Sequence, residues 1–221
     1  MNYKITPSLM TCDLLNIQTE LTKLSKAGID WIHFDLMDGK FVNNLGLTPM
    51  MSSQIKKIFP NITIDFHSMV NNIENILDQL NDVDYITIHF SSIQKTNLEE
   101  LFKKIKSKNI KIGIGIDLDD NLNDISKLLD QVDLVTIMSI KPGFAGQAFN
   151  KLTWNTIDFL VKKRKENNYS YLLQIDGGVR EENIIDLIKT GLDLIVVGSW
   201  LFNELDYSKR LLQLNEKIYL K

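Results

Sequence analysis

The chain has 221 residues, 44% of them hydrophobic and 24% charged, a globular balance that excludes wholesale disorder. A formal net charge of −3 argues against a non-specific nucleic-acid binder, and the single cysteine, Cys12, excludes an internal disulfide or a cysteine-rich metal site. No apolar run approaches the ~18 residues of a membrane span and the first residues lack a signal-peptide core, so the expectation is one cytoplasmic domain over residues 1–221 with no membrane partner.

Short β-branched runs alternate with amphipathic stretches along the chain. A first strand is predicted over 3–7, followed by a helical stripe of Leu14, Ile17, Leu21 and Leu24 that stops at Ala27-Gly28. Strands follow at 31–35 and 62–67, then a stripe of Ile73, Ile76, Leu77 and Leu80. After a strand at 85–89 comes the stripe Leu98, Leu101, Phe102 and Ile105, and then strands at 111–116 and 134–139. Helical patterns over 153–161 and 182–190 flank a strand at 172–176, and the last strand is 194–197. The runs lack clean polar alternation, as strands buried on both faces of a parallel sheet do.

Eight strand–helix units predict an α/β fold, a closed (β/α)8 barrel. A doubly wound open sheet is the alternative, but it calls for a glycine-rich turn after the first strand. The turn here reads Ser8-Leu9-Met10-Thr11-Cys12-Asp13, without glycine. The three tryptophans, Trp31, Trp154 and Trp200, read as packing residues.

Barrel enzymes work at the carboxyl ends of their strands. All three histidines, His33, His67 and His89, fall at predicted strand ends. His33 and Asp35 are two apart on one strand, so their side chains share a face. With His67 and Asp176 they form a candidate site for Zn²⁺ or another divalent first-row metal. The His-x-Asp spacing alone is a weak signal, because such pairs are common and also suit ordinary strand-end or capping aspartates. Gly143 to Gly146, Gly177-Gly178 and Gly198-Ser199 follow three consecutive strands and suit a phosphate held by backbone N–H groups. Met37, Met69 and Met138 read either as core filler or as a water-poor floor beneath a substrate.

Taken together these pieces resemble the ribulose-phosphate 3-epimerase family from end to end. The resemblance rests on Pro7-Ser8-Leu9, on 33–39 followed by Phe41-Val42, and on His67 with Met69 and His89. It continues through Met138-Ser139, Pro142-Gly143-Phe144-Ala145-Gly146-Gln147, Asp176-Gly177-Gly178-Val179 and Gly198-Ser199. The family is a ribulose-phosphate-binding (β/α)8 barrel that inverts C3 of ketose phosphates through an enediolate with a bound metal. Carried over, His33, Asp35, His67 and Asp176 would be the metal ligands, and Asp35 and Asp176 also the acid/base pair. Ser8, His67 and Asp176 would contact the sugar, and Gly143, Phe144, Ala145, Gly146, Gly177, Gly178, Gly198 and Ser199 the phosphate end. Met37, Met69 and Met138 would line the reacting centre.

The resemblance implies one divalent ion, Zn first and Fe, Mn or Co as alternatives, a small phosphorylated ketose as substrate, and a homo-oligomer, dimer or hexamer. The Pro-Ser-Leu-Met start, the segment Asn44-Leu45-x-Leu47-x-Pro49 with Ser53-Gln54-x-Lys56-Lys57, and Pro-Gly-Phe-Ala-Gly-Gln look like the allulose-6-phosphate branch. Asp176-Gly177-Gly178-Val179 looks like the ribulose-5-phosphate majority, which is the favoured substrate. Departures from the family pattern are Asn43, Ser68, Asp117–Asp120 without the Asn-Pro turn, and Lys141 before Pro142. Two rivals remain at this stage: a lyase, decarboxylase or synthase with a lysine at a strand end, for which only Lys141 is near, and a paralogue that binds phosphosugars without turnover.

Overall fold

A computed structural model describes residues 3–93 and 98–219. Eight parallel strands form one sheet: β1 (Lys4–Pro7), β2 (Trp31–Met37), β3 (Thr63–Met69), β4 (Tyr85–His89), β5 (Lys111–Ile116), β6 (Leu134–Met138), β7 (Leu172–Asp176) and β8 (Leu194–Val197). The strand order is β1-β8-β7-β6-β5-β4-β3-β2, and a parallel bridge between Ser8 and His33 brings β1 against β2. The result is a nearly closed barrel with helices between the strands, as the strand count predicts.

The helices are α1 (Ile17–Lys26), α2 (Met50–Ile58), α3 (Glu74–Leu77), α4 (Leu98–Ser107), α5 (Leu122–Ile125), α6 (Thr153–Asn167), α7 (Ile184–Lys189), α8 (Ser199–Phe202) and α9 (Tyr207–Tyr219). Stripes at helical spacing account for α1, α4 and α6. Leu14 lies outside α1, in a 3-10 turn whose start Asp13 caps by accepting from the Leu15 N–H. The stripe from Ile73 to Leu80 buries Ile73, Leu77 and Leu80 with only one turn of helix, because i→i+3 turns at Gln79 and Leu80 replace further helix. The 182–190 pattern likewise yields helix only over Ile184–Lys189. No stripe predicts α2, which buries only Ser52 and Ile55. α9, also not predicted, packs its own stripe of Tyr207, Leu211, Leu214 and Ile218 against the main core and adds polar anchors. The Tyr207 hydroxyl donates to buried Glu20, and the Arg210 guanidinium lies 4.6 Å over the Trp200 ring and 3.1 Å from Glu181.

Alternation along each strand sorts the core into two parts. Outward residues such as Ile32, Phe34, Phe66, Ile86, Ile112, Val135 and Ile175 join the helices in one large apolar layer. Inside the barrel, Trp31, Tyr85, Leu134 and Leu194 form a separate plug at the amino ends of the strands, with Trp31 and Tyr85 rings 4.9 Å apart. Trp31 and Trp200 are buried and Trp154 is packed against the main core, so all three tryptophans pack.

Above the plug the interior turns polar. Asp65, Thr87, Thr136 and Gln174 are wholly buried. Gln174 Nε2 donates to Asp65 Oδ2 at 2.5 Å, Thr136 Oγ1 donates to Gln174 Oε1 at 2.7 Å, and the two threonine hydroxyls lie 3.3 Å apart. A buried polar layer is tolerable only when its members satisfy one another, as these do. β5 leaves room for it, since its inward residues are Gly113 and Gly115. A Cβ on Gly113 would lie 2.5 Å from Thr87 Oγ1, and one on Gly115 3.4 Å from the His89 ring.

Three strand ends differ from expectation. β2 and β3 run two residues further, to Met37 and Met69, because the ladder continues through Leu36↔Ser68 and Met37↔Met69. β6 stops at Met138, one residue short of the predicted Ser139. The extension places Met37 and Met69 on rigid strand. Replacing Gly113 with Ala should lower stability by about 1–3 kcal/mol, the usual cost of overpacking, read as an earlier urea midpoint with unchanged slope.

Candidate active site

The inward residues at the carboxyl ends of β2, β3 and β7 meet at one point. One ligand atom each from His33, Asp35, His67 and Asp176 lies within 4.8 Å of the other three. His33 Nε2 is 3.1 Å from His67 Nδ1, 3.4 Å from Asp35 Oδ1 and 3.6 Å from Asp176 Oδ2. His67 Nδ1 is 3.2 Å from Asp35 Oδ1 and 3.4 Å from Asp176 Oδ2. Register explains the meeting: Asp35 pairs with His67 and His33 with Asp65 across the β2–β3 ladder.

The other nitrogen of each imidazole is held from outside the group. His33 Nδ1 is 2.8 Å from Asp65 Oδ2, so it carries the proton and Nε2 turns its lone pair inward. His67 Nε2 is 2.8 Å from His89 Nε2, and His89 Nδ1 faces Asp117 Oδ1 at 2.9 Å. A proton on His89 Nδ1, facing the carboxylate, leaves His89 Nε2 to accept from His67 and His67 Nδ1 bare toward the centre. Asp117 in turn accepts from Ser91 Oγ at 2.8 Å. Ser8 Oγ donates to Asp35 Oδ2 at 2.6 Å, leaving Oδ1 for the group.

Two bare nitrogens and two carboxylate oxygens facing one another require a cation. Protons can play that part. Burial alone would lower both imidazoles, but Asp35 and Asp65 hold His33 well above its ordinary pKa, and Asp176 and Asp35 lift His67 to about 9. The carboxylates respond in the opposite sense. Burial would raise them, yet His33 and His67 hold Asp35 far below its usual range and Asp176 at about 2. His89 stays below the ordinary value through burial and its neighbour His67, despite Asp117.

A divalent metal also fits this place. A tetrahedral ion with bonds of ~2.0–2.1 Å needs donor–donor edges of about 3.3–3.4 Å, and five of the six separations span 3.1 to 3.6 Å. The donor set of two imidazoles and two carboxylates suits zinc and other first-row ions. The supporting Asp65 and His89 are the outer partners that metal-binding histidines use.

The group forms the floor of a cavity of about 460 Å³. Asp35 and Asp176 line it, whereas His33 and His67 are wholly buried beneath. Met37, Met69 and Met138 also line it, with Ser8 at one side. Gly143, Phe144, Ala145, Gly146, Gly177, Gly178, Gly198 and Ser199 form its other walls. Two of these glycines are dictated by space as well as backbone. Gly178 has φ +59 and a Cβ there would lie 2.7 Å from the Phe149 backbone, while Gly143 has φ +106 and packs against Val42. Asn44 Nδ2 donates to the Gly143 carbonyl at 2.7 Å, tying the loop after β2 to the loop after β6 across the mouth.

Several residues of the site were not anticipated from sequence. Asn44, Thr11 and Arg180 line the cavity. Asp65 could have been found, because Asp65-x-His67 repeats the same-face spacing of His33-x-Asp35 in reverse order. Asp117 had no local signal, since it meets His89 only through strand pairing. The departures Ser68 and Lys141 do not line the cavity: Ser68 is buried with its hydroxyl unpartnered, and Lys141 is exposed. Among the described residues no lysine lines it, which removes the structural basis for a lysine-dependent rival.

The fold and its carboxyl-end site define a (β/α)8 barrel of the enzyme kind, and no described helix is long and apolar enough to cross a membrane. Residues 4–202 match the model of the ribulose-phosphate 3 epimerase family, and the chain belongs to that family. It is a carbohydrate epimerase. Ribulose-phosphate 3-epimerase of Buchnera aphidicola subsp. Schizaphis graminum is 31% identical over 213 residues, covering 96% of this chain and 92% of that protein. Ribulose-phosphate 3-epimerase of Escherichia coli strain K12 is 29% identical over 207 residues, 94% and 92% of the two chains. In fold the chain is similar to 3-keto-L-gulonate-6-phosphate decarboxylase from Vibrio cholerae, with a TM-score of 0.75 at 15% identity over 99% of this chain and 98% of that one.

The electrostatics set a pH window for the metal-free protein. His67 has a folded pKa of about 9 against an ordinary 6.5, so its stabilisation is complete below 6.5 and is lost as pH rises through 9. Asp176, at about 2 against 3.8, contributes above 3.8 and loses its contribution as pH falls toward 2. Chelator-treated protein should therefore lose melting temperature between about pH 7 and 9, while metal-loaded protein should not. Differential scanning calorimetry across that range checks it; parallel curves would count against a shared proton and metal site.

Proposed function

We propose that the chain inverts C3 of a ketose phosphate, D-ribulose 5-phosphate to D-xylulose 5-phosphate, with one divalent metal ion, zinc before Fe, Mn or Co. The observation that carries this reading is the convergence of four ligating atoms within 4.8 Å beneath a cavity walled by glycine loops. The choice of pentulose follows the names of the relatives, which are ribulose-phosphate 3-epimerases. A hexulose phosphate is the second reading. The segment from Asn44 to Pro49 resembles the allulose-6-phosphate branch, and Asn44 lines the cavity.

Inverting C3 means taking a proton beside the C2 carbonyl and returning one on the opposite face, so two bases are needed. Asp35 comes from β2 and Asp176 from β7, two strands separated by β1 and β8. Both carboxylates reach the cavity; without a metal the protonated imidazoles hold both ionised, against burial, which favours the protonated form that one of the pair must take during turnover. One would accept the C3 proton while the other, protonated, returns one, and the reverse reaction exchanges their roles. A divalent ion bound by His33, Asp35, His67 and Asp176 would supply positive charge beside the C2 and C3 oxygens as C3 loses its proton. Ser8 fixes one oxygen of Asp35, which limits that carboxylate to one orientation. Met37, Met69 and Met138, each buried, keep water from the reacting carbon. The glycine loops offer backbone N–H groups to the phosphate.

The test is a competition of equal ribulose 5-phosphate and allulose 6-phosphate in D₂O with metal-loaded protein, following deuterium entry at C3 by NMR. Faster exchange in the pentulose is expected. Faster exchange in the hexulose would transfer the assignment to that sugar, and none in either would overturn the epimerase mechanism in favour of binding alone. Asp176→Asn, checked for full metal content, should lower kcat by about 10²–10⁴-fold.

A further inference from the structure

Among the described residues, Arg180 is the only cationic side chain lining the cavity. It follows Gly177-Gly178-Val179 directly and is half-buried. Its backbone is pinned, with the Arg180 N–H donating to Asn183 Oδ1 at 2.8 Å and Asn183 Nδ2 donating to the Gly178 carbonyl at 3.0 Å. Its guanidinium spans two walls. Nη2 donates to the Gly146 carbonyl at 3.1 Å and Nη1 to Ser199 Oγ at 3.3 Å. Five N–H groups minus these two leave three donors in a fixed fork.

Among the described residues no carboxylate forms an ion pair with this guanidinium. The nearest acid in sequence is engaged elsewhere: Glu181 binds Lys217, Arg210 at 3.1 Å and the Trp200 indole N–H at 2.9 Å. A partly buried positive charge without a counter-charge, set between glycine walls, is incomplete without an anion from outside. Both groups that it does bond, a carbonyl and a hydroxyl, are neutral, so they orient the fork without cancelling its charge.

We propose that Arg180 is the charged member of the phosphate end of the site. Its free N–H groups bond the terminal phosphate, and its charge makes the cavity prefer a dianionic phosphate over a monoanion. The proposal deepens the ketose-phosphate reading above and rests on it for the ligand's chemistry. Gly146 and Ser199 hold the guanidinium in place before the ligand arrives, which limits the entropy lost on binding. The Coulomb attraction scales with ligand charge, so a dianion gains about twice what a monoanion gains from the same contact. A residue that merely propped the loops would affect both anions alike.

The experiment uses inorganic phosphate and methyl sulfate as competitive ligands of the full-length, metal-loaded protein at about pH 8, where phosphate is mostly dianionic. In Arg180→Gln the phosphate dissociation constant, read by calorimetric titration, should rise about 10- to 100-fold. The methyl sulfate constant should rise much less, so the preference between them collapses. Substrate KM should rise with phosphate while kcat stays within about threefold. Arg180→Lys, which keeps the charge but loses the fork, should retain most of the dianion preference, and it guards against a Gln variant that folds poorly. Equal losses for both anions, or none, overturn the proposal. Wild-type turnover with an unchanged anion profile in Arg180→Gln removes Arg180 and leaves the epimerase reading. Lost discrimination without C3 exchange in the wild type keeps Arg180 and removes that reading.

Discussion

Two imidazole nitrogens with inward lone pairs, 3.1 Å apart and facing two carboxylates, cannot coexist at the carboxyl end of the barrel without positive charge among them. Much of the interior serves that constraint. Asp65 fixes the His33 tautomer, and Gln174 and Thr136 hold Asp65. His89 fixes His67, and Asp117 faces His89. Each of these acts on a ring nitrogen that points away from the centre, and together they make four donors converge. Truncating an outer partner would free a ring to rotate, which is why such residues weigh almost as much as ligands in metal sites.

The barrel is graded along its axis. Apolar residues plug the amino ends, a closed polar layer sits in the middle, and the group of His33, Asp35, His67 and Asp176 occupies the carboxyl ends. Stability therefore comes mainly from the outer layer between strands and helices and from the plug, which frees the upper interior to hold buried charge. Glycine on the inner face of β5 belongs to the same division, because any side chain at Gly113 would strike Thr87. The loops after β2 and β6 meet across the mouth through Asn44 and Gly143, so the substrate cavity is bounded by rigid strand ends below and linked loops above.

The eight strands were legible because each is a short, β-branched run buried on both faces, and their count alone pointed to a barrel. The four converging residues were legible from a period of two on β2 and from the rule that barrel chemistry sits at strand ends. Residues whose role depends on cross-strand register were less so: Asp117 meets His89 only after β4 and β5 pair. α2 leaves no stripe because it buries only Ser52 and Ile55, whereas α9 carries one, Tyr207, Leu211, Leu214 and Ile218, at helical spacing after the last strand. Arg180 carries no such signal, because backbone N–H groups alone can hold a phosphate. Only the fold showed its guanidinium lying between Gly146 and Ser199 without a counter-charge.

The most direct test of this account is anomalous X-ray scattering from crystals grown with zinc. One ion should appear at the floor of the cavity, bound by His33 Nε2, His67 Nδ1 and one oxygen each of Asp35 and Asp176, with bonds of about 2.0–2.2 Å. An ion elsewhere, or one bound through His89 or Asp117 in place of His33 or His67, would contradict the claim that the outer partners exist to turn these four donors inward.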